Sequence, residues 1–100
     1  MSQHFADLKT SDLRLVVLRL LSEDPGYALN DSILRDALNA FGHTVSRDKV
    51  RTELRWLEEQ ALIGIQVVAS VMVAKLTARG ADVAAGSARV DGVKRPSPRD

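Results

Sequence analysis

The sequence predicts a mainly α fold with a β-hairpin: a winged helix-turn-helix of three helices, a two-stranded wing and a short C-terminal helix. Three observations point there. Three stretches of helical apolar spacing follow one another in the first sixty residues, each about ten to fourteen residues long. The second and third are separated only by the tight connection "GHTVS". Past Leu62 the pattern changes to β-branched near-alternation, the mark of a hairpin.

Residues 1–9 read as a flexible N-terminal arm, and residues 10–86 as the folded domain. Thr10, Ser11 or Asp12 can cap a first helix that runs to about Ser22. Leu13, Val16, Val17, Leu20 and Leu21 share its main face, while Leu15 and Leu18 lie on the other side between Arg14 and Arg19. A helix apolar on two sides is buried on two sides. Its second neighbour is either a C-terminal segment or another subunit. "EDPGY" (23–27) is a break, after which Asn30 or Asp31 caps a second helix to about Phe41. Ile33, Leu34, Ala37, Leu38 and Phe41 share one helical face there, and Gly42 suits the left-handed position that closes a helix.

Ser46 is a good N-cap for the third helix, Arg47 to about Gln60. Val45 and Val50 stand at the positions of a hydrophobic staple. Val50, Leu54, Leu57 and Ala61 form a narrow apolar stripe. "LIGIQVVASVMVAKLT" then gives two strands, about 62–68 and 71–76, joined near Ala69-Ser70. Thr77 caps a short helix from Ala78 to about Ala85, with Gly86 as its stop. The remainder, residues 87–100, has two prolines, a glycine and four cations, and reads as an extended or disordered basic tail.

The third helix carries its charges the wrong way round for an isolated helix. Arg47, Lys49 and Arg51 lie in its first half, where the macrodipole prefers anions, and Glu58 and Glu59 lie at the end that prefers cations. Arg47–Arg51 and Arg51–Arg55 are like-charge pairs four residues apart, each unfavourable by a few tenths of a kcal/mol. An anionic partner resolves the conflict, and duplex DNA fits, because such helices enter the major groove with their N-terminal half. Arg47, Asp48, Lys49, Arg51, Thr52 and Arg55 then form the candidate reading surface of helix 46–60. Ser46 and the free N–H groups of the first turn would hold phosphate. Exposed charges on a helix are ordinarily just solvated, so it is the helix-turn-helix setting that favours DNA here. Against it stand a hairpin tip without a cation and a net charge of only +1. Leu15, Leu18 and Trp56 are the candidate contacts for a homodimer or another partner.

Composition removes other classes. The chain has 100 residues and no cysteine, so disulfides, thiolate metal sites and cysteine nucleophiles are excluded. His4 and His43 are its only histidines, and no metal or cofactor is expected. Asp24, Asp31, Asp36, Glu53 and Glu58 show no paired-carboxylate or metal spacing, and no glycine-rich phosphate loop occurs. The chain is therefore read as non-enzymatic. No apolar run is long enough for a membrane span, and the first residues lack the pattern of a signal peptide.

"LRLVVLRLLSEDPGYALNDSILRDALNAFGHTVSRDKVRTELRWLEEQALI", "LTARGADVAAG" and "GVKRPSP" together resemble small winged-helix proteins of Mu-like phages and prophages. These are often labelled as regulators similar to the arsenic-repressor class. The likeness spans roughly residues 9–98. It implies a phage origin, a bacterial cytoplasm and a helix-turn-helix role, either in transcription regulation or, since such genes tend to lie near lysis and packaging genes, as an accessory to DNA packaging. Without cysteine or a His/Asp ligand cluster, metal sensing does not carry over. Two functions follow as expectations: a double-stranded DNA-binding module acting as a homodimer, or an adaptor that docks on a phage or host protein through its apolar wing.

Overall fold

A computed structural model describes residues 3–97. Four helices and a three-stranded antiparallel sheet follow in the order α1 (Gln3–Glu23), β1 (Ala28–Asn30), α2 (Asp31–Ala40), α3 (Arg47–Glu59), β2 (Ile63–Val68), β3 (Val71–Leu76) and α4 (Ala78–Ala85). The fold is mainly α with a β-hairpin, as expected.

Helix α1 begins at Gln3, not near Thr10, so most of the expected arm is helical; Met1 and Ser2 lie outside the described residues. Its first two turns bury nothing. Gln3 Nε2 donates to Asp7 Oδ1 at 2.9 Å, and the Lys9 ammonium stands 5.7 Å from the Phe5 ring centroid. Local pairs of this kind support a helix without tertiary packing, which is why apolar spacing did not reveal it. From Leu13 onward the helix is the backbone of the core: Leu13, Val17, Leu18 and Leu21 are buried with Leu34, Leu38, Val50, Leu54 and Leu57 from α2 and α3.

The break after α1 is an Asx turn. Asp24 Oδ2 accepts from the amides of Gly26 and Ala28 at 2.9 and 3.3 Å. It leads into a strand that was not expected, β1, which pairs with β3 through Ala28–Lys75, Leu29–Ala74 and Asn30–Val73. Three residues are too short to show an alternation. Asn30 ends β1 and also caps α2, its Oδ1 accepting from the Ile33 amide at 2.8 Å. Only part of the expected α2 face is buried. Leu34 and Leu38 are at 0%, whereas Ile33 and Phe41 are 50% and 65% exposed.

Ser46 caps α3 by accepting from the Lys49 amide at 3.0 Å, and Val45 packs on the core near the buried Val50. Strands β2 and β3 pair from Ile63–Leu76 to Val68–Val71. Thr77 caps α4, and Gly86 closes it with φ of 88°. Gly80 marks the tightest packing: a Cβ there would lie 2.0 Å from the Leu62 carbonyl oxygen. No side chain larger than hydrogen fits between α4 and the start of the hairpin.

Residues 87–97 are not a free tail. Ala88, Val90 and Val93 pack against the core. The Lys94 amide donates to the Ser11 carbonyl at 3.1 Å, and Lys94 Nζ lies 3.3 Å from Asp12 Oδ1. The segment and α4 run beside α1 and form the second neighbour that a helix apolar on two sides requires. Residues 98–100 of the expected tail lie outside the described residues.

Candidate functional site

Helix α3 has two flanks, and each is organised by one buried carboxylate. On the hairpin side the carboxylate is Asp31, in the first turn of α2, with a side chain that is 0% exposed. Arg47 donates through Nε and Nη2 to its two oxygens at 3.1 and 3.4 Å. Arg51 donates through Nε to Oδ2 at 2.5 Å. Both guanidinium groups also donate through Nη2 to the carbonyl of Ser70 in the hairpin turn, Arg47 at 3.0 Å. Arg47 and Arg51 remain 39% and 36% exposed.

On the α1 side the carboxylate is Glu53, 5% exposed. Arg14 Nε donates to it at 2.7 Å, and Lys49 Nζ lies 2.8 Å from its other oxygen. Arg14 also stacks on Trp56, 3.7 Å from the ring centroid, and donates to the Gly92 carbonyl at 3.1 Å.

Burial alone would raise both carboxyl groups. For Asp31 the hydrogen bonds and charges of Arg51 and Arg47 outweigh it, and for Glu53 those of Lys49 and Arg14 do. Both are held below the ordinary carboxylate range. The like-charge ridge of Arg47 and Arg51 is thus bridged from within the protomer. Arg55 stands apart, 51% exposed, with Nη1 3.0 Å from Glu58 Oε1. The charge order of α3 therefore has internal partners at every cation.

Of the expected reading surface, Ser46, Asp48, Lys49, Thr52 and Arg55 are exposed, and Arg47 and Arg51 are half-buried. Thr52 Oγ1 turns back to the Asp48 carbonyl at 3.2 Å. The expected partner contacts are not brought together on a surface. Leu15 and Leu18 are 2% and 0% exposed inside the protomer, which corrects their assignment to an interface. Trp56 is half-buried under Arg14. Asp31, Ser70, Glu53 and Arg14 were missed as parts of this arrangement. Asp31 was read only as a possible helix cap, and its partners lie sixteen and twenty residues away.

Among the described residues, no group of three or more His, Asp or Glu could hold a metal ion. No helix there is long and apolar enough to cross a membrane.

No protein-family model matches the chain. A Haemophilus influenzae protein described as uncharacterized is 54% identical over 76 residues, which cover 75% of this chain and 74% of that protein. The uncharacterized protein gp26 of Escherichia phage Mu is 53% identical over 93 residues, 93% of this chain and 96% of the relative. With that identity running through nearly the whole of both sequences, the chain belongs to the family of the phage Mu protein gp26.

Proposed function

We propose that this protein is a winged-helix DNA-binding protein of phage origin, acting in the bacterial cytoplasm as a transcriptional regulator or a DNA-packaging accessory. The element order, with β1 joining the hairpin as a third strand, fits the winged helix-turn-helix plan, in which α3 is the groove-facing helix. The observation that carries the reading is the Asp31 cluster. One buried carboxylate serves two half-exposed guanidinium groups, so the cluster itself carries one net positive charge where α3 meets the hairpin turn, with the exposed Asp48 in the same first helical turn. Arg55 adds an exposed cation further along α3, and Lys49 adds one on its other flank. A two-fold copy would double a short site; its contacts lie elsewhere than at Leu15 and Leu18.

Titration of fluorescent duplex oligonucleotides over a salt series tests this. Wild type binds at low salt with a steep inverse salt dependence. Arg55→Ala, which removes an exposed side chain paired among the described residues with Glu58, weakens binding and lowers the slope by about 0.9. Its unfolding curve stays in place. A wild type that ignores duplex DNA at low salt sinks the reading.

The alternative is a non-enzymatic adaptor that docks on a phage or host protein through the hairpin. Its support is specific: Val67 and Val68 are 56% and 54% exposed at the hairpin end, where no side chain is charged. Co-purification with one protein, without retention on heparin, favours it.

A further inference from the structure

We infer that Asp31 is a positioning residue that makes Arg47 and Arg51 into one clamp for a single backbone phosphate. The inference rests on the DNA-binding reading above. Asp31 touches no solvent and cannot itself meet a ligand. Its effect passes through the two arginines. Each presents Nε to Asp31 and Nη2 to the Ser70 carbonyl, so two of the three nitrogens of each guanidinium are committed to the protein. Among the described residues, Nη1 of both arginines makes no hydrogen bond. Two planar guanidinium groups, one helical turn apart and docked on the same carboxylate and the same carbonyl, are fixed relative to one another.

Their uncommitted N–H groups make a two-arginine receptor whose geometry is set before the ligand arrives. A phosphate diester matches such forks in shape and charge. It offers no base edge, so the clamp contributes affinity and register, not sequence preference.

Charge and position predict opposite signs for Asp31→Asn. If Asp31 only neutralised the arginines, removing its charge would add net positive charge and tighten DNA binding. If it positions them, the variant keeps every cation but loses the common anchor. Binding then weakens by about tenfold, the scale of one charge-assisted contact, and the salt slope is unchanged because no cation has been removed. The loss is equal on duplexes of unrelated sequence.

The experiment measures wild type, Asp31→Asn and the double variant Arg47→Lys with Arg51→Lys by anisotropy over a salt series, on two unrelated duplexes. The lysine pair keeps both charges and loses both forks. It is expected to weaken binding by a similar factor, and it decides the matter if Asp31→Asn does not fold. Wild type binding with equal or tighter binding by Asp31→Asn, or full binding by the lysine pair, overturns the clamp and leaves the DNA reading standing. No binding by wild type removes both.

Discussion

The two flanks of α3 share a design and differ in closure. Each has one buried carboxylate and two cations. At Glu53 the arginine is 15% exposed, is stacked on the Trp56 ring and donates to the backbone at Gly92. At Asp31 both arginines are more than a third exposed, and both are capped by the Ser70 carbonyl of the hairpin turn. An identical charge ratio thus leaves one cation sealed and one open at Glu53, where Lys49 is 45% exposed, and both cations open at Asp31. The difference lies in what packs over the cations, and the C-terminal segment is present on one flank only. A buried ion cluster with a lid holds helices together, and the same cluster without a lid leaves donors to spare.

The largest effect should come from removing the carboxylates. Glu53→Ala strands Arg14, which is too buried to be rehydrated without opening the joint, and is expected to cost about 3 kcal/mol. Asp31→Ala frees two arginines that already reach water, and is expected to cost about 2 kcal/mol. Urea unfolding of both variants measures the difference. A greater loss at Asp31 would mean that its cluster, not that of Glu53, is the structural one.

The lid can be broken without touching a charge. Gly92 has φ of 98°, and a Cβ there would lie 2.8 Å from Trp56 Cζ2 and 3.0 Å from Arg14 Nη1. Gly92→Ala therefore combines a left-handed alanine with a steric clash, at a cost of about 2 kcal/mol. Trp56 is the sole tryptophan, so its emission reports the displacement directly. Among the described residues, no hydrogen bond or ion pair joins the Asp31 cluster to this segment. DNA affinity measured well below the unfolding range should stay within about twofold of wild type, since distant sites are nearly independent. A large loss of affinity would join the two flanks into one unit.

What the sequence revealed was local chemistry. Ser46 as the cap of α3, the two strands meeting at Ala69-Ser70, and Thr77 and Gly86 around α4 all depend on residues within four positions of one another, and all are found. What it hid was pairing at a distance. Strand β1 exists only because β3 lies beside it, about 45 residues later. Residues 87–97 have the composition of a disordered tail, yet Val90 and Val93 find a groove made by the rest of the fold. The reversed charges of α3 were visible, and their internal partners were not. Arg51 finds its partner at Asp31, twenty residues away in the sequence. Arg55, by contrast, pairs with Glu58 only three residues on, a spacing the sequence itself displays.

Acid separates the two flanks most gently. Asp31 and Glu53 both titrate below their ordinary values of 3.8 and 4.5 when folded. The sign follows directly. A depressed carboxyl contributes fully above its unfolded pKa, and that contribution fades as pH falls through the folded one. Stability should therefore decline from about pH 4.5 downward, with each group adding at most about 1.4 kcal/mol per pH unit to the slope. Asp12, lowered through His43 and Lys94 against its burial, adds a background common to all variants. Asp31→Asn and Glu53→Gln should each flatten the acid limb. Salt then tells them apart. Screening reaches both half-exposed arginines of the Asp31 cluster, whereas at Glu53 it reaches Lys49 but hardly Arg14, which is stacked on Trp56. The flattening caused by Asp31→Asn should shrink as salt is added, while that caused by Glu53→Gln shrinks less, because only Lys49 of its two partners is open to screening. Equal salt sensitivity at both sites would mean that the Glu53 joint admits water as freely as the open flank, and the distinction between them would fail.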